Sequence, residues 1–233
     1  MQAPISNHCI CFAGPTRLSL HGGVDQSGVE WRGPIRRGDL TRLVSERPAG
    51  TVAIVDGTFH SYPAVGHAEI LQAIRRGWHI WGLSSMGAIR AAEMASLGMR
   101  GYGSVYHRFA TDPQFSDDEV TLIHGTDAPY LPLSEPLVHM RTFIGHLVAN
   151  EALKKQHAEL IVDFMKMRWY GFRTLDLLAS QLSCYMQDHE RIAKEITGFQ
   201  RFRIKSLDLE NFLIDTPWAM TDDTVESAGP AVS

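Results

Sequence analysis

Ser84-Ser85-Met86-Gly87 joins the apolar run His79 to Leu83 to the alanine-rich stretch Ala88 to Leu97. A serine between a strand and a helix stands exposed with backbone N–H groups beside it, which suits a nucleophile and its oxyanion. The nucleophile-elbow pattern has glycine two residues to either side. Ser85 has Gly87 after it but Leu83 before it, and Ser84 has Gly82 before it but Met86 after it, so each serine meets half of the pattern. The same turn can bind a phosphate or carboxylate through the amides and dipole of a helix N-terminus, or the serine can simply cap that helix. These readings stand open together.

Other groups can serve such a serine. His67 falls with Leu71 and Ile74 at helical spacings of four and three, on a stripe expected to face inward, where it can act as general base or as a buried structural histidine. His60 and His124 compete for the same role, and Asp56, closing an apolar run, can orient a histidine, bind a ligand or cap a turn. Arg90 and Glu93, three apart, can pair on one helix face. Asp117-Asp118-Glu119 is read as a solvated carboxylate run, and without matching ligand spacing no metal is expected. Cys9, Cys11 and Cys184 are too few for a disulfide framework and are read as buried core thiols.

The elements that must position these groups follow from periodicity and turn signals. Cys9 to Ala13, ending at Gly14-Pro15, reads as a buried strand, and Thr51 to Val55 and His79 to Leu83 as two more. Thr16 to Gly38 reads as a long loop. Asp39 is expected to cap a helix over Leu40 to Glu46, a second helix starts after Pro63 and stops at Gly77, and a third runs from Ala88 to Leu97 before Gly98. Glu119 to Ile123 offers one further strand. Strand and helix in alternation predict a three-layer, doubly wound α/β domain with a mostly parallel sheet over residues 1–150. Ser134 is expected to cap the next helix, after which amphipathic helical pattern continues to about Ile214 with no proline between Pro136 and Pro217, giving a helical C-terminal part over 151–215 and a disordered tail over 216–233. Ligands of parallel sheets bind beyond the strands' carboxyl ends, where Asp56, Ser84, Ser85 and His124 fall.

Composition narrows the class. Hydrophobic residues make up 44% of 233 and charged residues 21%, as in ordinary globular domains. A net charge of -4 argues against a nucleic-acid partner, and no apolar run is long enough to span a membrane. A cytoplasmic protein is expected. No glycine-rich nucleotide fingerprint is present, so no cofactor is expected.

Several motifs occur together and in order: Asp56-Gly57-x-Phe59, His67-x-Glu69-Ile70-Leu71 and Ser85-Met86-Gly87-Ala88-x-Arg90-Ala91-Ala92-Glu93. Downstream come Gly98-Met99-x-Gly101, Asp118-Glu119-Val120, His124-Gly125 and Leu133-Ser134-Glu135 with Arg141; Gly14-Pro15 and Arg37-Gly38-Asp39 precede them. Over residues 9 to about 145 this resembles the TfuA-like family. The resemblance implies a companion of a YcaO-type, ATP-using enzyme that replaces a peptide backbone oxygen with sulfur, acting on a precursor peptide. It implies sulfur supply, by one route through hydrolysis of a thiocarboxylated, ubiquitin-like sulfur-carrier protein, or else a non-catalytic adaptor that recruits peptide or carrier. On the hydrolytic reading Ser85 is nucleophile or oxyanion-site residue, His67 base and Asp56 orienter. Arg90 and Glu93 support them, and Ser84, Gly87, His124 and Arg141 complete the binding surroundings.

Overall fold

The computed structural model describes residues 8–20, 22–59 and 62–219; His60 and the chain beyond 219 lie outside them. Five strands form one parallel sheet: β1 (Cys9–Phe12), β2 (Val29–Arg32), β3 (Thr51–Ile54), β4 (His79–Leu83) and β5 (Arg100–Tyr102), in the spatial order β2-β1-β3-β4-β5. The chain steps one way from β1 to β2 and the other way thereafter. Right-handed crossovers then place the later connections on one face and the first on the other. Accordingly α1 (Asp39–Glu46), α2 (His67–Arg75) and α3 (Met86–Met94) share a core with Ile10, Phe12, Val52, Ile54 and Ile80. The opposite side chains, Cys9, Cys11, Ala53, Val55, Trp81 and Leu83, pack on Leu209, Phe212 and Leu213. Alternation along the strands sorts the two faces, and the doubly wound architecture holds.

After α4 (Gly103–Thr111), α5 (Leu137–Ala149), α6 (Lys155–Lys166), α7 (Leu175–Ser183) and α8 (His189–Thr197) build a separate cluster around Phe143, Ile161, Leu178 and Phe199. The helical part thus begins before residue 150. Its last member, α9 (Ile204–Asp215), is the helix that returns to cover the sheet, so the chain after 150 completes the α/β core. Order extends past 216 as well, since Trp218 is buried against Phe212.

Several expected local features differ. The Thr16–Gly38 loop contains β2, a half-buried edge strand. Glu119 to Ile123 is not a strand: a 3-10 turn at Asp117–Glu119 leads into irregular chain, where the Thr121 hydroxyl donates to Asp117 O and the Ser134 hydroxyl accepts from Ile123 N–H. Ser134 is therefore unavailable to cap α5, which starts after Pro136. In α2 the inward row is Ile70 and Ala73, and His67 is exposed. Cys9 and Cys11 are buried as expected, burial pushing the Cys9 thiol up to about 12, whereas Cys184 is exposed. The carboxylate run is anchored by arginines: Asp118 pairs with Arg173 at 2.8 Å, and buried Glu119 pairs with Arg141 at 2.8 Å.

The start of α9 is fixed by polar contacts with distant segments. Asp208 accepts hydrogen bonds from Ser104 N–H, the Ser104 hydroxyl and Val105 N–H, capping α4 from outside. Arg203 forks onto Glu135 and donates to Ser19 Oγ at 3.1 Å. The other Glu135 oxygen meets His139 Nδ1 at 3.0 Å, and His139 Nε2 accepts from Lys205 N–H at 3.4 Å. An imidazole that accepts at Nε2 carries its proton on Nδ1 and is neutral. Burial, above all, holds His139 below the ordinary imidazole range.

A Cβ on Gly87 would stand 1.7 Å from Ile54 O and 2.6 Å from Ile54 C, both backbone, whereas one on Gly145 meets nothing within 4 Å. Gly87→Ala therefore lowers unfolding free energy by about 3 kcal/mol, and Gly145→Ala, on the exposed side of α5, raises it by about 0.5–1 kcal/mol; urea titration reads both. The unfolded chain protonates His139 near its ordinary value of 6.5, the folded chain only below it. This contribution is thus complete above the unfolded value and lost as pH falls beneath it. Stability drops from about pH 7.5 to about pH 5.5, and the non-titrating His139→Gln shows a smaller drop over the same range.

Candidate functional site

In a sheet of this order the chain reverses direction between β1 and β3, and their carboxyl ends open the crevice where doubly wound folds bind ligands. Asp56 closes β3 at that point. Its buried carboxylate accepts from Gly14 N–H at 2.8 Å, Thr16 N–H at 3.0 Å and the Thr16 hydroxyl at 2.7 Å. No histidine is among these partners. Asp56 thus shapes the loop after β1 and lends its charge to the crevice.

The serine turn stands beside it. Ser84 takes the left-handed conformation, φ 63°, and its hydroxyl donates to Lys205 O at 2.7 Å. Ser85 holds the N-cap position of α3 yet makes no side-chain capping bond, and it lines the cavity at the strand ends. Helix α3 comes close enough to present its amides because two glycines meet: a Cβ on Gly82 would stand 2.1 Å from Gly87 O. Gly87 N–H donates to Val55 O at 3.3 Å, while the N–H of Met86, first in the helix, has no intrahelical partner. A serine hydroxyl, a helix N-terminus and a buried carboxylate therefore converge.

The cavity measures about 170 Å³ and is lined by Asp56, Ser85, His124, Lys205, Arg36 and Tyr130, among others. His124 Nδ1 donates to Gly125 O at 2.7 Å, which leaves its Nε2 for other work, and its ring meets the edge of Tyr130. Gly33 makes room for Tyr130, whose hydroxyl lies 2.3 Å from where a Cβ would be. Arg36 stacks on Tyr62 with its guanidinium carbon 4.0 Å from the ring centre. Lys205 is 1% exposed; its Nζ donates to Val120 O at 3.1 Å and stands 3.9 Å from Asp56 Oδ1. Burial pushes this ammonium below the ordinary lysine range, opposed by the charges of Asp56 and Glu135.

Of the residues singled out by sequence, Asp56, Ser85 and His124 reach this cavity, with Ser84 and Gly87 building the turn behind it. His67 does not: its exposed ring meets Glu93 at 2.8 Å, Glu93 meets Arg90 at 2.6 Å, and Arg90 Nε donates to Val65 O. That triplet ties α2 to α3. Arg141 is occupied by Glu119. Sequence reasoning missed Arg36, Tyr130 and Lys205. A signal for Lys205 was present, since Lys205, Leu209, Phe212 and Leu213 fall at i, i+4, i+7 and i+8, a stripe on which a lysine must be buried.

Among the described residues no group of three or more His, Cys, Asp or Glu side chains is placed to hold a metal ion, and no helix is long and apolar enough to cross a membrane. No curated protein matches the chain. The model of the family described as TfuA-like protein matches residues 56–174, slightly more than half of the chain. The match starts at Asp56, takes in the serine turn and His124, and stops short of α9. On that span the chain belongs to the TfuA-like family.

Proposed function

We propose that this protein supplies sulfur to a YcaO-type enzyme for peptide backbone thioamidation, releasing sulfide from a thiocarboxylated, ubiquitin-like carrier protein at Ser85. The observation that carries the reading is Ser85 itself: it sits at the head of α3, caps nothing and lines the crevice beside a buried carboxylate and a buried ammonium. A cavity of about 170 Å³ takes a slender chain end, the form in which a carrier presents its thiocarboxylate.

The step balances as an acyl transfer. Ser85 Oγ attacks the thiocarboxylate carbon and the C–S bond breaks. The serine proton leaves with sulfur as hydrosulfide, and the carrier remains as a serine ester that water cleaves to a carboxylate. His124, with Nδ1 engaged by Gly125 O, offers Nε2 as the base that relays the proton. The N–H of Met86, which has no partner within its helix, and the positive end of α3 lie at the serine turn to receive the developing oxyanion. His67, paired with Glu93 at the surface, takes no part.

An adaptor reading is favoured by a different feature. Met167, Trp169 and Phe172 are exposed around Tyr170, which lines the same cavity, and such a patch suits a docked protein. Sulfide release from a thiocarboxylated carrier separates the two. Ser85→Ala is expected to lower it at least about 10³-fold and His124→Gln about 10²–10⁴-fold, while His67→Ala leaves it within about twofold of the natural protein. Thioamidation undiminished by a folded Ser85→Ala variant, with carrier or precursor peptide still bound, would favour the adaptor and end the hydrolytic reading.

A further inference from the structure

We propose that Lys205, contributed by α9 from outside the family-matched segment, is the anion anchor of the cavity, and that its ammonium binds the terminal carboxylate or thiocarboxylate of an inserted chain end. This rests on the preceding reading for its substrate, but on separate observations for its site. An ammonium has three protons to donate. Among the described residues Nζ makes one hydrogen bond, to Val120 O, and Asp56 Oδ1 at 3.9 Å is beyond hydrogen-bond reach.

The nearby acids are already committed. Asp56 accepts three hydrogen bonds from Gly14 and Thr16, and Glu135 is held by Arg203 and His139. A cation buried to 1% exposure with two protons left over is costly unless something anionic completes its shell. The cavity it lines, with Ser85 on the wall, is where that anion can come.

The lysine is also held in place relative to the serine. Ser84 Oγ donates to Lys205 O at 2.7 Å, and Ser206 Oγ donates to Thr16 O at 2.8 Å, so the serine turn, the β1 loop and the head of α9 form one block. This placement answers a chemical need. A thiocarboxylate carries a full negative charge that repels an attacking oxygen, and a fixed ammonium against its oxygen or sulfur removes that repulsion before the bond forms. The other cation of the cavity, Arg36, is stacked on Tyr62 and lacks this backbone link to the serine turn.

The test is binding of N-acetyl-diglycine, small enough for the cavity, against its C-terminal amide, followed by NMR titration of the full chain. The natural protein is expected to bind the carboxylate at least about tenfold tighter than the amide, and Lys205→Met to lose that preference. Because the variant alters a buried site, the natural protein is also labelled at its lysine ε-carbons. The Lys205 signal should titrate at higher pH with the carboxylate bound, and unchanged with the amide. Equal binding of the two ligands, or a preference that survives in Lys205→Met, overturns the anchor. Carboxylate preference without sulfide release would sink the hydrolysis and leave the anchor; Ser85-dependent release without the preference would do the reverse.

Discussion

The carboxylate of Asp56 is the constraint around which the site is organised. Two of its three hydrogen bonds come from backbone N–H groups of the loop after β1 and the third from the Thr16 hydroxyl, so β1 and β3 end at a common point. Its remaining field falls on Lys205. Hydrogen bonds to a charged acceptor are roughly twice as strong as neutral ones, and here they are shielded from water. Loss of this charge would free the Gly14–Thr16 turn and leave a buried ammonium without its nearest anion.

Further charges extend from that point into the helical cluster. Lys205 lies between Asp56 and Glu135, and Glu135 between His139 and Arg203. Opposite charges side by side lower the cost of burying Asp56, Lys205, Glu135 and Arg203, and the neutral His139 joins them through hydrogen bonds. Apart from Glu135 and His139, which are four residues apart, the links join segments far apart in sequence: the loop after β1, the end of β3, the start of α5 and the head of α9. A chain of this kind contributes less to net stability than apolar packing of equal volume. What it adds is registration, because each charge has one partner geometry and the helical cluster can dock on the sheet in one way.

Sequence made the core of this arrangement legible where a local rule was strong. β3 and β4 are continuous apolar runs ending in polar turns, and α2 and α3 carry clean glycine stops, so the parallel sheet and the serine turn followed directly. β1 and β3 are no longer than β2 but are fully buried apolar runs, whereas the edge strands Val-Glu-Trp-Arg and Arg-Gly-Tyr are half-buried and interrupted by charged residues or glycine, so they show no apolar run. The inward face of α2 was misassigned because His67 keeps the spacing of Leu71 and Ile74, while the buried row is one residue out of step at Ile70 and Ala73. For α9, periodicity announced a helix with an apolar stripe but could not say that the surface it covers is the sheet. That pairing is set by strands about 120 to 200 residues earlier, so the stripe that marks Lys205 as buried does not say what the lysine meets.

The two half-matches to the nucleophile elbow are resolved by the same geometry. In an elbow the strained residue and the reactive one coincide; here they are neighbours. Ser84 takes the left-handed conformation, which costs an ordinary residue about 1–2 kcal/mol, and its hydroxyl is spent on Lys205 O, a bond that offsets part of that strain. The turn this creates projects Ser85 to the cavity and sets its backbone away from the helical region, at φ -133° and ψ -119°. Gly82, which the pattern requires before Ser84, and Gly87, which it requires after Ser85, are both needed because they touch each other across the strand and helix. Strain, anchoring and reactivity are thus divided between two adjacent serines, and the bond that anchors the first fixes the distance between the second and the buried lysine.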